Sequence, residues 1–184
     1  MPEKKLVIAV SGMPGAGKGV ATQVAKQIGL PVLVLGDVIR EETDRRGLEP
    51  TPKNIGNVML QVRANEGPAV VAKRLLPKVE ASTSPSIIVE GVRSLDEVAE
   101  LRSKFEVLTV AIHASPRTRF QRLLSRNRSD DPQTWEVFCE RDDRELKVGL
   151  GYVIALADRV LVNERTISEL QSTFKRMLNE LIAT

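Results

Sequence analysis

The feature that most restricts how this chain can fold is a glycine-rich stretch near its start, GMPGAGKG at residues 12–19. The apolar run Leu6–Val10 leads straight into it, and the helix-compatible stretch Val20–Lys26 follows it. Glycines let a backbone turn tightly and aim its N–H groups inward, while a helix N-terminus adds partial positive charge at the same point. Lys18 adds a mobile ammonium group. This arrangement predicts a phosphate-binding loop, whereas a plain strand-to-helix turn would need neither the lysine nor so many glycines.

The glycine-rich stretch follows the Walker A pattern except at its last position. Gly19 stands where the pattern has Ser or Thr, and the next residue, Val20, has no hydroxyl either. Because Mg²⁺ gives up its water reluctantly, we expect the metal to be held mostly through water and the nucleotide. The stretch resembles the phosphate loop of the adenylate kinase group of nucleoside monophosphate kinases, which often has Thr at the position of Val20. The resemblance implies that the donor ATP, with Mg²⁺, contacts Gly12, Met13, Pro14, Gly15, Ala16, Gly17, Lys18, Gly19 and Val20.

Apolar, β-branched runs alternate with helix-period stretches along the chain, and this alternation is typical of a parallel sheet covered by helices on both faces. The predicted strands are Leu6–Val10, Val32–Leu35, Ser86–Val89, Val107–His113 and Arg159–Val162. Helices are predicted to begin near Lys18, Asp37, Asn54, Pro68, Leu95, Pro116, Pro132 and Ser168. Together with the glycine-rich loop, these elements predict a three-layer α/β fold of the P-loop NTPase class with a five-stranded parallel sheet.

The predicted organisation is a single P-loop nucleotide kinase domain over residues 1–184, with two additions to the sheet and its helices. A helical insertion at about residues 37–80 lies between the second and third strands, and it contains a cluster of glycine and proline at residues 47–52. The resemblance implies that this insertion helps bind the acceptor. It also implies a short lid at about residues 126–132.

Composition restricts the partners and the compartment. Lys and Arg number 27 against 24 Asp and Glu, so the net charge of +3 does not favour nucleic acid as a partner. The five-residue apolar run near the start is too short for a signal peptide or a membrane span. The single cysteine, Cys139, has no partner thiol and is expected to be a buried structural residue. We therefore expect a reduced, cytoplasmic protein without a membrane partner.

The segment Leu35–Arg40 resembles the monophosphate-binding segment of adenylate kinases, in which an arginine one helical turn after Gly-Asp grips the acceptor phosphate. The resemblance implies that Gly36, Asp37 and Arg40 bind the acceptor. A planar guanidinium suits a phosphate group because it donates two parallel hydrogen bonds. The alternative is that Asp37 caps a helix and Arg40 is solvated.

Glu90 follows a buried strand, at the position of a Walker B carboxylate beside the phosphate loop. We expect it to hold Mg²⁺ through water or to orient the acceptor as a base, although it could instead cap the next helix. The segment Glu90–Arg93 resembles the Asp-Gly-Phe-Pro-Arg segment of adenylate kinases, but it has Glu for Asp, lacks the Pro and is one residue shorter. The resemblance implies that Glu90, Gly91 and Arg93 contact the acceptor, whose identity this departure leaves open.

The arginine-rich segment Arg119–Asp131 resembles the lid of short-lid nucleoside monophosphate kinases. Arg122 and Arg126 are four residues apart, so both project from one face of a helix end. The resemblance implies that Arg122 stacks on the donor base and that acidic residues, Asp130 and Asp131, anchor lid arginines. It implies that the transferring phosphoryl group is clamped by Arg126, Arg128 and, after the lid, Arg141. A solvated face or an RNA contact is the alternative for this segment.

The resemblance covers nearly the whole chain and implies transfer of the γ-phosphoryl group from Mg-bound ATP to a nucleoside monophosphate, with AMP as the first candidate. Catalysis would consist of positioning and charge neutralisation by Lys18, Arg93, Arg126, Arg128 and Arg141. One alternative is a dephospho-coenzyme A kinase, whose hydroxyl acceptor would need Glu90 or Asp37 as a base. Another is a nucleotide-dependent switch or assembly ATPase that acts on an RNA or protein partner.

Overall fold

In the computed structural model, which describes residues 4–128 and 131–182, five strands form one parallel sheet. The strand order is β2-β3-β1-β4-β5, and every neighbouring pair runs parallel. The prediction of a five-stranded parallel sheet is confirmed, and each strand ends within one residue of the predicted position. The strands are β1 (Leu6–Ser11), β2 (Val32–Val34), β3 (Ser86–Glu90), β4 (Glu106–His113) and β5 (Arg159–Val162).

Helices connect the strands and cover both faces of the sheet. In the described ranges they are α1 (Lys18–Gln27), α2 (Leu35–Arg45), α3 (Pro52–Glu66), α4 (Val70–Ala81), α5 (Leu95–Arg102), α6 (Pro116–Arg126), α7 (Trp135–Val148), α8 (Leu150–Ala155) and α9 (Ile167–Ile182). Four starts differ from the prediction by two or three residues: α2 and α3 begin two residues early, α4 begins two residues late, and α7 begins three residues late because the Thr134 hydroxyl caps it. None of these helices is long and apolar enough to span a membrane.

Alternate residues of β1 point to opposite faces of the sheet, as the two-residue period of a strand requires. Val7 and Ala9 pack in a cluster with the α2–α5 helices and α8, whereas Ile8 and Val10 pack in a cluster with α1 and α9. All four side chains are fully buried. The sheet is therefore the middle layer of three, and β1, which leads into the glycine-rich loop, lies at its centre.

The expectation for Cys139 is wrong, because its side chain is exposed. Its neighbour Phe138 is 1% exposed and takes the inward-facing position of α7. Successive residues of a helix differ in direction by about 100°, so burying Phe138 turns the next residue toward solvent.

Between β2 and β3 the chain forms α2, α3 and α4, and a buried carboxylate ties α2 to α4. Glu42, 4% exposed, accepts hydrogen bonds from Arg45 Nε at 2.9 Å and Arg46 Nε at 2.7 Å on its own helix. It also accepts one from Arg74 Nη1 of α4 at 3.0 Å. The hydrogen bonds from Arg45 and Arg46, joined by that from Arg74, lower the pKa of Glu42 from 4.5 to about 2.

Replacing Glu42 by Gln should lower the free energy of unfolding at pH 7 by about 3 kcal/mol, because the guanidinium groups lose the charge that they surround. The folded-state pKa lies below the unfolded value, so this stabilisation is complete above pH 4.5 and is lost as the pH falls toward 2. Urea unfolding of both proteins at neutral and acidic pH measures the difference.

Glu41→Gln is the matched control, because Glu41 is 61% exposed and pairs with Lys78 at 2.6 Å across the same two helices. An exposed ion pair of this kind contributes about 1 kcal/mol or less. Equal losses in the two variants, or a Glu42→Gln difference that does not change with pH, would contradict the assignment.

Candidate functional site

The glycine-rich loop joins β1 to α1, and neighbouring backbone presses closely on two of its glycines. Gly12 and Gly15 both have positive φ, at 150° and 81°. A Cβ on Gly15 would lie 2.8 Å from the Arg119 carbonyl oxygen, and one on Gly12 would collide with the carbonyl oxygen of Ile112. Larger residues are therefore excluded at both positions. The loop is held in shape by the ends of β4 and α6.

Lys18 lies in the first turn of α1, and its side chain folds back over the loop. Its Nζ donates hydrogen bonds to the carbonyl oxygens of Gly12 at 2.6 Å and Met13 at 3.3 Å. Loss of contact with bulk water lowers the pKa of Lys18 to about 8, opposed by the negative charge of Glu90. The positive charge of Arg93 lowers this pKa further. The loop therefore holds a poorly hydrated cation that is hydrogen-bonded to backbone carbonyl oxygens.

Glu90 stands at the carboxyl end of β3, beside the loop. The next residue, Gly91, donates its backbone N–H to Val10 of β1 at 2.8 Å. Glu90 Oε2 accepts a hydrogen bond at 2.8 Å from the hydroxyl of Thr22 on α1. Sequence reasoning gave Thr22 no role, because its hydroxyl lies beyond the Walker A positions. A carboxylate and a hydroxyl at this edge are oxygen groups that suit a hydrated Mg²⁺ ion. Within the described residues, no group of three or more His, Cys, Asp or Glu could enclose a metal.

The predicted acceptor residues of α2 lie on its first turns, and two of the three line a cleft. Arg40 Nη1 donates to Asp37 Oδ1 at 2.6 Å, and both side chains are about half exposed. A Cβ on Gly36 would lie 3.4 Å from Arg40 Nη1, an ordinary van der Waals distance, so the guanidinium lies close to Gly36. Gly36 and Arg40 line the cleft. Asp37 is in the first turn of α2, which begins after Val34, so it is not the N-cap.

Arg93 lies in the loop after β3 and lines the same cleft. Its Nη1 lies 3.2 Å from Met59 Sδ on α3 and 3.4 Å from Glu145 Oε1 on α7. Its backbone N–H donates to Glu97 Oε2 at 2.7 Å, and Glu97 also accepts from Arg63 Nη2 at 2.6 Å. Glu97 is fully buried, so it fixes both the loop of Arg93 and the helix of Arg63.

The predicted lid lies partly outside the described residues, since residues 129 and 130, and with them Asp130, are not described. Asp131 accepts from Arg126 Nε at 2.9 Å and from the backbone N–H of Arg128 at 3.0 Å. Arg141 Nη1 lies 3.7 Å from the same carboxylate. Despite the cost of burial, these hydrogen bonds and charges lower the pKa of Asp131. One buried carboxylate therefore gathers three of the predicted phosphate-clamping residues.

Arg122 points toward the loop between β5 and α9. It donates from Nη1 to the carbonyl oxygen of Asn163 at 2.9 Å and from Nη2 to that of Arg165 at 3.4 Å. Asn163 in turn donates from Nδ2 to the carbonyl oxygen of Ala16 in the glycine-rich loop at 2.8 Å. Arg122 thus lies beside a segment that is bonded to the phosphate loop. Asn163, only 6% exposed, was missed by sequence reasoning because nothing local marks it.

Arg119 is a second residue that the sequence did not single out. It is 3% exposed and donates from Nη1 to the Pro14 carbonyl oxygen at 3.2 Å and to Asp142 Oδ1 at 2.8 Å. Its guanidinium carbon also lies 4.9 Å from the centre of the Phe138 ring. Arg119 therefore connects the glycine-rich loop to α7, the helix that carries Arg141.

The cleft between α2–α3 on one side and α7 on the other has a volume of about 560 Å³. It brings together the predicted residues Gly36, Arg40, Gly91, Arg93 and Arg141. Its ionisable lining is mostly basic: Arg40, Lys53, Arg63, Arg93, Arg141 and Arg144, against Asp131, Glu140 and Glu145. Among the described residues, the cleft lining does not include the phosphate loop with Lys18, nor Asp37, Glu90, Arg122, Arg126 and Arg128. The cleft can hold a small anionic molecule.

Comparison with solved structures places this fold among known ones. TT1252 from Thermus thermophilus superposes with a TM-score of 0.71 at 18% identity, covering 97% of this chain and 99% of that one. Shikimate kinase from Bacteroides thetaiotaomicron superposes with a TM-score of 0.57 at 16% identity, covering 97% and 99%. At these identities the likeness concerns the fold, which is that of P-loop kinases.

Sequence relatives cover almost the full chain. A UPF0200 protein of Hyperthermus butylicus is 49% identical over 177 residues, which cover 96% of this chain and 95% of that protein. A UPF0200 protein of Pyrococcus furiosus is 47% identical over 179 residues, covering 95% and 96%. Residues 11–138, which begin at the end of β1, match the family profile described as an AAA domain. The chain therefore belongs to the UPF0200 family and has the α/β fold of a P-loop kinase.

Proposed function

We propose that this protein is a kinase that transfers the γ-phosphoryl group of ATP to a nucleoside monophosphate, with AMP as the first candidate. The observation that carries the proposal is the basic cleft, which is lined by Arg40, Arg93 and Arg141. Arg93 and Arg141 are close enough to Lys18 for their charges to lower its pKa. Cations that converge from a donor site and an acceptor site are what phosphoryl transfer requires, because its transition state spreads negative charge over the equatorial oxygens.

On the donor side, the glycine-rich loop and Lys18 would hold the phosphates. Lys18 now bonds to two carbonyl oxygens, and a phosphate group is a stronger partner for its ammonium. Glu90 and Thr22 would hold Mg²⁺ through water, and the bound ion would neutralise phosphate charge. Arg122 would contact the donor base, and this role is supported by its hydrogen bond to Asn163, which is itself bonded to the phosphate loop.

On the acceptor side, Arg40 and Arg93 would bind the monophosphate, each from a different wall of the cleft. Arg126 and Arg128 would reach the transferring group only if the lid moves, since Asp131 now holds Arg126 by its side chain and Arg128 by its backbone. Closure of a lid and an insertion over two bound substrates excludes water and completes the set of charges.

A second candidate is a kinase for a hydroxyl acceptor, such as dephospho-coenzyme A. The observation that favours it is a carboxylate, Glu145, on the wall of the cleft beside Arg93. A hydroxyl must lose a proton when it attacks phosphorus, so its kinase benefits from a carboxylate at this place. The two candidates share the donor site and differ in the acceptor.

The depressed pKa of Lys18 predicts how triphosphate affinity depends on pH. The free lysine has a pKa of about 8, and bound phosphate must raise it. Affinity should therefore be complete below pH 8 and fall as the pH rises above it, by about tenfold at pH 9. Calorimetric titration with ATP at pH 8 and at pH 9 measures this difference.

Lys18→Ala should bind ATP weakly at both pH values. Lys26→Ala, an exposed change on the same helix, should behave as wild type. If the affinity for ATP falls equally with rising pH in wild type and in Lys18→Ala, the role of Lys18 is contradicted.

Arg40→Ala and Arg93→Ala should each raise KM for the monophosphate far more than KM for the triphosphate. A lost charge-assisted hydrogen bond costs about 1.5–3 kcal/mol, which corresponds to roughly a 10–150-fold change. Steady-state kinetics with each substrate varied in turn separate the two effects. Arg176→Ala, an exposed change on α9, is the control and should alter neither KM. Equal effects of Arg40→Ala on both substrates would remove it from the acceptor site.

A bisubstrate analogue that joins two adenosines through five phosphates should raise the melting temperature more than ATP or AMP alone. It occupies both sites without a second association step, so its affinity exceeds that of either half. Thermal unfolding with each ligand at equal concentration gives the comparison. Arg40→Ala should reduce the shift caused by the analogue but not that caused by ATP. A shift no larger than that of ATP would show that the cleft does not accept AMP.

A further inference from the structure

Glu145 is a buried carboxylate on the α7 wall of the cleft. The residue is 7% exposed, and its Oε1 lies 3.4 Å from Arg93 Nη1. Its other oxygen, Oε2, is buried and has no hydrogen-bond partner among the described residues. Buried polar atoms are almost always hydrogen-bonded, so a carboxylate oxygen that lacks a partner in a binding cleft indicates a missing ligand group.

The position of Glu145 connects it to both proposed substrate sites. Through Arg93 it contacts the residue assigned to the acceptor phosphate. Its negative charge also acts on Lys18 in the phosphate loop, where it raises the lysine pKa against the effect of burial. Glu145 borders the proposed acceptor cleft, and its charge acts on the proposed phosphate-binding lysine. It therefore lies near the point where the phosphoryl group would be transferred.

The other carboxylates near this point are already engaged or solvated. Glu90 accepts a hydrogen bond from Thr22 through Oε2. Asp37 is half exposed and paired with Arg40, and Asp131 is bonded to Arg126. Glu140 lines the cleft but is exposed to water. Among the carboxylates that line the cleft in the described residues, Glu145 therefore combines burial with an unpartnered oxygen.

We propose that Glu145 Oε2 accepts the hydrogen bond of the attacking O–H group of the acceptor and takes its proton during transfer. This inference rests on the proposed kinase function and adds the chemistry of the acceptor: an oxygen nucleophile that carries a proton. That nucleophile is either a hydroxyl or a singly protonated phosphate. Its oxygen forms a bond to the γ-phosphorus, the bond from that phosphorus to the β,γ-bridging oxygen breaks, and ADP leaves. The proton moves to Oε2, while Arg93 orients the carboxylate through Oε1.

The test compares Glu145→Gln with wild type in three assays: hydrolysis of ATP by water, phosphorylation of AMP, and phosphorylation of dephospho-coenzyme A. Water is itself an O–H nucleophile, so hydrolysis reports on Glu145 without a known acceptor. We expect Glu145→Gln to lower kcat by about 100-fold or more without changing the Kd for ATP. Glu145→Asp should restore part of the rate. The matched control is Asp143→Asn, an exposed change on the same helix at a residue that does not line the cleft, and it should keep the wild-type rate.

A structural role for Glu145 predicts different pH profiles from a role as proton acceptor. For a proton acceptor, wild-type kcat falls toward acid pH, because a protonated carboxyl group cannot take the proton. The residual rate of Glu145→Gln should lack this fall. The variant leaves the other titratable groups near Glu145 and Lys18 unchanged; they are Lys18, Glu90, Asp131 and Glu140. If the fall of kcat toward acid pH disappears in Glu145→Gln, protonation of Glu145 causes that fall. If the fall persists in the variant, another group causes it.

The outcomes separate the inference from the function on which it rests. Wild-type kcat in Glu145→Gln, or an unchanged acid limb, overturns the role of Glu145 and leaves the kinase assignment standing. A large fall of kcat in Glu145→Gln, with partial recovery in a folded Glu145→Asp variant, supports the role of Glu145. The product formed identifies the acceptor as AMP or dephospho-coenzyme A. If wild type neither hydrolyses ATP nor phosphorylates either acceptor, the proposed function fails and this inference fails with it.

Discussion

The site depends on the parallel pairing of β1 with β3, in which Val10 stands opposite Glu90. Parallel strands end at the same edge of a sheet, so the phosphate loop that follows β1 and the Glu90–Arg93 segment that follows β3 must meet there. One register therefore brings together a cation, a carboxylate and the start of the basic cleft. A shift of one residue would turn Glu90 to the other face of the sheet.

Around this edge, arginines are held in place by buried carboxylates from other parts of the chain. Glu97 fixes Arg63, Asp131 collects Arg126 and Arg141, and Glu145 contacts Arg93. Each carboxylate lowers the cost of concentrating like charges in a small volume before any substrate is present. In the proposed reaction, phosphate would replace some of these contacts, so the protein without substrate would already have the arrangement that this reaction needs.

The fold and the phosphate loop could be predicted because their signals are local. A buried strand shows in a few consecutive apolar residues, and the loop shows in the spacing of its glycines and Lys18. The resemblance implied Asp131 as an anchor of lid arginines, but the carboxylate anchors Glu97 and Glu145 could not be predicted in the same way. Glu97 and Arg63 are 34 residues apart, and Asn163 and Ala16 are 147 apart, so only the packed chain shows that they are partners. Cys139 was misplaced for a related reason, since the face that α7 buries depends on its neighbours.

The most direct test of the central claim is chemical: ³¹P detection of the products formed from ATP and AMP. We predict that a β-phosphate signal of newly formed ADP appears from AMP, and that wild type forms it orders of magnitude faster than Lys18→Ala. A phosphorylated product from dephospho-coenzyme A instead would keep the kinase and change its acceptor. Binding of AMP without any phosphorylated product, from AMP, the other common monophosphates or dephospho-coenzyme A, would contradict the claim and favour a nucleotide-dependent switch that acts on an RNA or protein partner.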